Sequence, residues 1–173
     1  MTKFNYQPSA LTQGLIFFVL AGLPGIMLLL LSWANNSAFT SKGFWLGLAL
    51  LVLLASGLVA CMRHNWLSIS ATELTVRSSF YKKTYLLKEL KKVCDAPVNL
   101  MMLNDYAWKR RRRAFSFPGY HSGHFVLRNG KSAFVSVIAL EVLIYEDSKG
   151  HYLLLGVPEI EKIQSLLDAI KTA

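Results

Sequence analysis

Carboxylates are scarce in this chain: ten Asp and Glu stand against 19 Lys and Arg, and charged residues of both signs make up only 17% of its 173 residues. A chain so poor in charge, with 53% apolar residues, is more hydrophobic than an ordinary soluble domain. Cysteine is rarer still. Cys61 and Cys94 are too few for a disulfide framework and lack the CxxC spacing of a thiolate metal site. Catalytic signatures are missing as well, with no HExxH, no GxSxG and no GxxxxGK[ST]. His121 and His124 form an HxxH pair, but Pro118, Gly119 and Gly123 around them argue for a turn, not for a helix that would aim two imidazoles one way. Glu146 and Asp147 read as solvated turn residues. No enzyme, metal or cofactor is therefore expected.

Two long stretches lack charge altogether. Leu15 to Trp33 and Gly43 to Met62 are uninterrupted apolar runs, each about 20 residues, which matches a hydrocarbon core of roughly 30 Å. The first is longer than a signal-peptide core and has only Lys3 ahead of it. The second is too apolar for a core helix in the remaining soluble part, about 110 residues. Both are read as transmembrane helices, 15–33 and 43–62 with a connector at 34–42. They form a hairpin over residues 14–62 after an N-terminal cytoplasmic tail, 1–13. Lys3 precedes the pair, Arg63 and a basic tail follow it, and Lys42 is alone in the connector, so both termini are expected to be cytoplasmic. Pro24 and Gly25 mark a kink or a close contact. Ala21/Gly25 and Gly43/Gly47 have the small-xxx-small spacing that serves packing within a hairpin or dimerisation.

From Trp66 onward the pattern changes to alternation, the mark of half-buried strands. Leu67 and Ile69 share one face of a strand, and Leu74, Val76, Ser78 and Phe80 share a face of the next. HFVLRNGKSAFVSVIA places Asn129 and Gly130 between two alternating runs, which predicts a type I′ hairpin turn. VLIYEDSKGHYLLLG repeats that plan. The chain closes on an amphipathic helix with Pro158 at its first position and Ile160, Ile163, Leu166, Leu167 and Ile170 on one stripe, expected to pack on its own sheet.

LSISATELTVRSSFYKKTYLL, then FPGYHSGHFVLRNGK, then VLIYEDSKGHYLLL before the terminal helix resemble the bacterial pleckstrin-homology-like (PH-like) domains attached to membrane hairpins. The GY-x-x-G-x-F-x-L-x-N-G string carries most of the likeness, which covers residues 66–172. The resemblance implies an α+β membrane protein of the bacterial cytoplasmic (inner) membrane. Its two-helix hairpin is followed by a cytoplasmic domain, 64–173, built as a mainly antiparallel, partly open seven-stranded barrel with a C-terminal capping helix. It implies little chemistry, since a fold does not set a function.

This chain departs from that pattern most in KRRRR, Lys109 to Arg113. Residues 63–131 hold 14 Lys and Arg against four acids, a net of +10, whereas residues 132–173 carry −3. Lys109, Arg110, Arg111, Arg112 and Arg113 are read as a loop, with Trp108 and Phe115 beside them able to enter a membrane interface. Gly119, Gly123, Asn129 and Gly130 are assigned to turns. Held near an anionic leaflet, the loop is expected to dock on anionic membrane lipid and present the domain to partners. The alternative is an accessory subunit that assembles as a homo-oligomer or with another membrane protein through the hairpin and a sheet edge. Nucleic acid is disfavoured, because neither a recognition helix nor a base-stacking platform accompanies the charge.

Overall fold

A computed structural model describes residues 2–34 and 42–172. The chain divides into two units: residues 9–62, and the remainder, 1–8 with 63–173. Most of the expected connector, residues 35–41, lies outside the described residues; Lys42 opens the second helix.

The helical unit consists of α1 (Ala10–Ala34) and α2 (Lys42–Met62), of 25 and 21 residues, both long and apolar enough to cross a membrane. Only 17% and 6% of their most apolar windows are buried, which is unlike the core helix of a soluble domain. Ser9 caps α1, its Oγ accepting from the Thr12 amide at 3.1 Å. Pro24 cannot donate to the carbonyl four residues back, and the helix answers with a π turn at Phe18–Gly22, where the Leu23 amide donates to the Phe18 carbonyl. Of the two small-residue pairs, Ala21 and Gly25 are buried, and a Cβ on Gly25 would lie 3.6 Å from Leu48 Cδ1 of the other helix. Gly43 and Gly47 face open space.

The β unit begins where a tail was expected. Residues Thr2–Tyr6 form β1, an edge strand paired antiparallel with β2 (Asn65–Ile69) in the register Thr2 with Ile69 and Tyr6 with Asn65. β3 (Glu73–Ser78) and β4 (Tyr81–Leu86) complete a four-stranded sheet, in sequence order. Leu67, Ile69, Leu74 and Val76 line its inner face as the alternation predicts. Phe80 departs from that face: Ser79 turns the chain at φ 53° and leaves Phe80 55% exposed.

The second sheet has seven strands. β5 (Lys91–Lys92) and β6 (Val98–Asn99) both pair with β10 (Glu141–Glu146), and the order continues through β11 (Tyr152–Gly156), β9 (Ser132–Val137), β8 (Tyr120–Leu127) and β7 (Trp108–Phe117). The sheets are mainly antiparallel, as expected: β11 lies parallel to β9, and every other pair among the described strands is antiparallel. The two sheets do not close into a barrel, a departure from the expected fold.

Both faces of the seven-stranded sheet are covered. Phe134, Leu143, Tyr145, Leu153 and Leu155 meet the first sheet and α3 (Ile160–Thr172) in one core. Val135, Val137, Val142, Ile144 and Leu154 meet Leu103 and the segment around it in another. Burial on both faces is why β9 to β11 are so continuously apolar. The stripe Ile160, Ile163 and Leu167 is buried in the first core. Its helix starts two residues after Pro158, because Glu159 sits at φ 57° and ends the preceding turn outside helical geometry. Asn129 and Gly130 also differ in detail from expectation. Only Gly130 has positive φ, 83°; its amide donates to the Leu127 carbonyl, and the Leu127 amide donates to the Lys131 carbonyl. That is the three-residue hairpin loop with a left-handed glycine, not a two-residue type I′ turn.

Candidate functional site

Lys109 to Arg113 stand inside β7, not in a loop. All five are exposed, and β7 is the outer strand of its sheet, paired among the described residues with β8 alone. The pairing skips between Trp108 and Arg110 and again between Arg111 and Arg113, so Lys109 and Arg112 are extra residues. Two such bulges within five residues sharpen the local twist and break the regular alternation of side chains between the two faces. A strand with both faces in solvent needs no apolar alternation, so its sequence resembles a loop. Charge and bulges on an outer strand also deter another chain from adding to the edge.

The flanking aromatics are fixed inward. The Trp108 ring lies 4.3 Å from that of His121 and 5.7 Å from that of Phe125, partly buried on the second core. Phe115 packs 5.6 Å from Phe80 and 6.4 Å from Tyr81. The exposed ring at that end is Phe80, for which the alternation predicts a place on the inner strand face. Gly119, at φ 73°, makes the tight β7 to β8 connection with Pro118 as expected. Gly123 does not belong to that turn. It is within β8 at φ 113°, opposite Ala114, where the two backbones approach closely.

Strand geometry separates the HxxH pair, because residues three apart point to opposite faces. His121 turns to Trp108 and shares a 2.8 Å hydrogen bond between its Nδ1 and Ser116 Oγ. Burial, with Arg111 nearby, pushes its pKa down to about 4. An unfolded imidazole takes up its proton near 6.5, so between these values the unfolded chain binds more protons. The stability from the neutral ring is complete above about pH 6.5 and lost as pH falls toward 4. Thermal melts of the full-length protein from pH 7 to pH 4 are expected to show that loss, on the order of 2 kcal/mol once partial exposure is allowed for. In His121→Phe, which keeps the ring contact but cannot titrate, the pH dependence should flatten. Among the described residues no group of three His, Cys, Asp or Glu is placed to hold a metal ion.

His124 faces the other way, between the rings of Tyr81 at 6.1 Å and Phe134 at 5.2 Å. Burial lowers its pKa, and Lys83 and Arg113 lower it further. It lines a cleft of about 570 Å³ with Lys83, Arg112, Arg113, Phe134 and His151. Lys83 comes from β4 and the two arginines from β7, so the outer strands of both sheets meet here. A second hollow of about 410 Å³ shares Lys83 and His151. Asp147 stands beside both, Oδ2 lying 3.9 Å from Lys83 Nζ and 3.5 Å from His151 Nδ1, while Oδ1 accepts from the amides of Lys149 and His151. Its side chain is 12% exposed, so it is a fixed member of the site and not the solvated turn residue expected. Sequence reading misses Lys83 and His151 because nothing local joins them to the basic run.

Compared with known proteins, the chain matches no family model, no curated protein and no solved structure.

Proposed function

We propose that this is a membrane-anchored, non-enzymatic module whose cationic edge strand β7 docks on anionic lipid headgroups and holds the β unit in a defined presentation to partners. The observation that carries the reading is a row of five exposed cations in a unit joined to two apolar helices by very short connections. β1 ends at Tyr6 and α1 starts at Ala10; α2 ends at Met62 and β2 starts at Asn65. The three residues of the first connection span at most about 14 Å and the two of the second about 11 Å, so a β unit on the cytoplasmic side of a bacterial inner membrane cannot leave the lipid surface. Each Lys or Arg near an anionic leaflet gains roughly 1 kcal/mol, and the tether removes most of the cost of encounter. The pairing of Tyr6 with Asn65 brings the two chain connections to the helices to one end of one sheet, which supports a hairpin with both flanks on the same side. Two sheets with a terminal helix support kinship with the PH-like domains, while the parallel β9 and β11 pair departs from it.

The test requires the full chain, because β1 is part of the sheet. Hydrogen exchange of β7 amides would be compared in nanodiscs of phosphatidylcholine alone and with added phosphatidylglycerol. Exchange is expected to slow about tenfold with the anionic lipid and to recover in high salt. Changing Arg110 to Arg113 to Gln should abolish the response; equal exchange in both nanodiscs would refute docking. A second reading, assembly through the hairpin, is favoured by Gly43 and Gly47, which meet nothing within 4 Å and leave room for another helix.

A further inference from the structure

We infer that the cleft between β4 and β7 is a binding site for a single phosphate monoester group, with Lys83, Arg112 and Arg113 as its cationic contacts. The inference goes beyond docking on a charged surface: it shares Arg112 and Arg113 with that reading, but Lys83, on β4, has no part in docking through β7. Three observations support it. Fixed charge comes first. Lys83, Arg112 and Arg113 supply three positive charges around one hollow and Asp147 offsets one of them, leaving two. A phosphate monoester is close to dianionic at neutral pH, with its second pKa near 6, whereas a phosphodiester or a carboxylate brings one charge. The match is to the dianion.

Position is the second. Arg112 is the extra residue of the second bulge in β7, and a bulge re-aims the side chain it frees. Adjacent Arg112 and Arg113, whose side chains a regular strand would send to opposite faces, here both line the same cleft. Lys83 is half-buried and its pKa is lowered, first by burial; an anion in the cleft would return the stabilisation that its ammonium has lost. The third is the lining. The Phe134 ring, stacked against His124, backs the cleft, while His124 and His151 add ring nitrogens as further hydrogen-bonding groups. About 570 Å³ admits a phosphate together with part of the group that carries it.

The experiment uses full-length protein in phosphatidylcholine nanodiscs, titrated with inorganic phosphate by calorimetry at constant ionic strength. Saturable binding is expected, weakened about tenfold or more in Lys83→Gln and equally in Arg112→Gln, and unchanged in Lys109→Gln, which lies outside the cleft. No saturable binding, or the same binding in wild type and Lys83→Gln, would overturn the inference. The source of the phosphate is read in parallel arms. If phosphatidic acid in the nanodisc blocks the phosphate titration and phosphatidylglycerol does not, the ligand is a lipid headgroup; if neither blocks it, the ligand is soluble. Lys83→Gln should leave the slowing of β7 exchange by phosphatidylglycerol intact, so failure of the cleft and failure of docking give different results.

Discussion

Replacing Gly123 with alanine is expected to destabilise the β unit by about 4 kcal/mol, a large share of the roughly 5–15 kcal/mol by which a typical domain is stable. Two costs combine. At φ 113° an L side chain is strained, by about 1–3 kcal/mol. A Cβ there would also clash with the Arg113 carbonyl oxygen and lie 2.8 Å from Ala114 Cα and 2.9 Å from Tyr81 Cε2. The first two are backbone atoms that cannot swing away, so β7 must move off β8, at an overpacking cost of about 1–3 kcal/mol. Gly130 is the comparison. Its φ is also positive, 83°, but a Cβ would meet nothing within 4 Å, so Gly130→Ala should cost only about 1 kcal/mol. Chemical unfolding of full-length protein in detergent, followed by the β signal, separates the two. Similar midpoints for both variants would show that the close approach of β7 and β8 contributes nothing.

Tyr6→Ala should cost about 3 kcal/mol, and a tail would predict no cost at all. Tyr6 is 5% exposed and sits in the core shared by the two sheets. Its hydroxyl donates to the Arg77 carbonyl at 3.3 Å and meets Ser136 Oγ of the other sheet at 2.8 Å. Removing a buried aromatic ring typically costs about 3–5 kcal/mol, with the lower end fitting an edge strand near the chain terminus, where neighbours can settle inward. Tyr6→Phe keeps the ring and loses the hydroxyl, so about 1 kcal/mol is expected. Asn5→Ala, on the exposed face of the same strand, should stay within about 0.5 kcal/mol. Equal midpoints for Tyr6→Ala and Asn5→Ala would remove β1 from the stable sheet.

These two residues mark where sequence reading reaches its limit. Short-range regularity is legible: the alternation of Leu67 with Ile69 and of Leu74 with Val76, the apolar runs of β9 to β11, and the stripe Ile160, Ile163 and Leu167 all report burial through spacing alone. β1 is not, because five residues carry too little pattern and their partner follows both apolar helices. The strand character of Lys109 to Arg113 is hidden for a physical reason, since an outer strand exposed on both faces has no buried side to write an alternation. Gly123 looks like a turn residue from its neighbours, whereas its role is the close approach of two backbones. The cleft is least legible of all. Lys83, Arg113 and His151 converge only through the meeting of two sheets, and the bulge that turns Arg112 is a fact of register.

The pairing of β1 with β2 also fixes an order of assembly. Translation delivers β1 before either apolar helix and β2 only after both, so Thr2 finds Ile69 across the length of both helices. Left as a free coil, a segment of that length would impose a loop-closure penalty on the sheet. Winding it into helices leaves few free residues to order when β1 meets β2. The first sheet is thus complete only after both helices have been made, and its folding is linked to theirs.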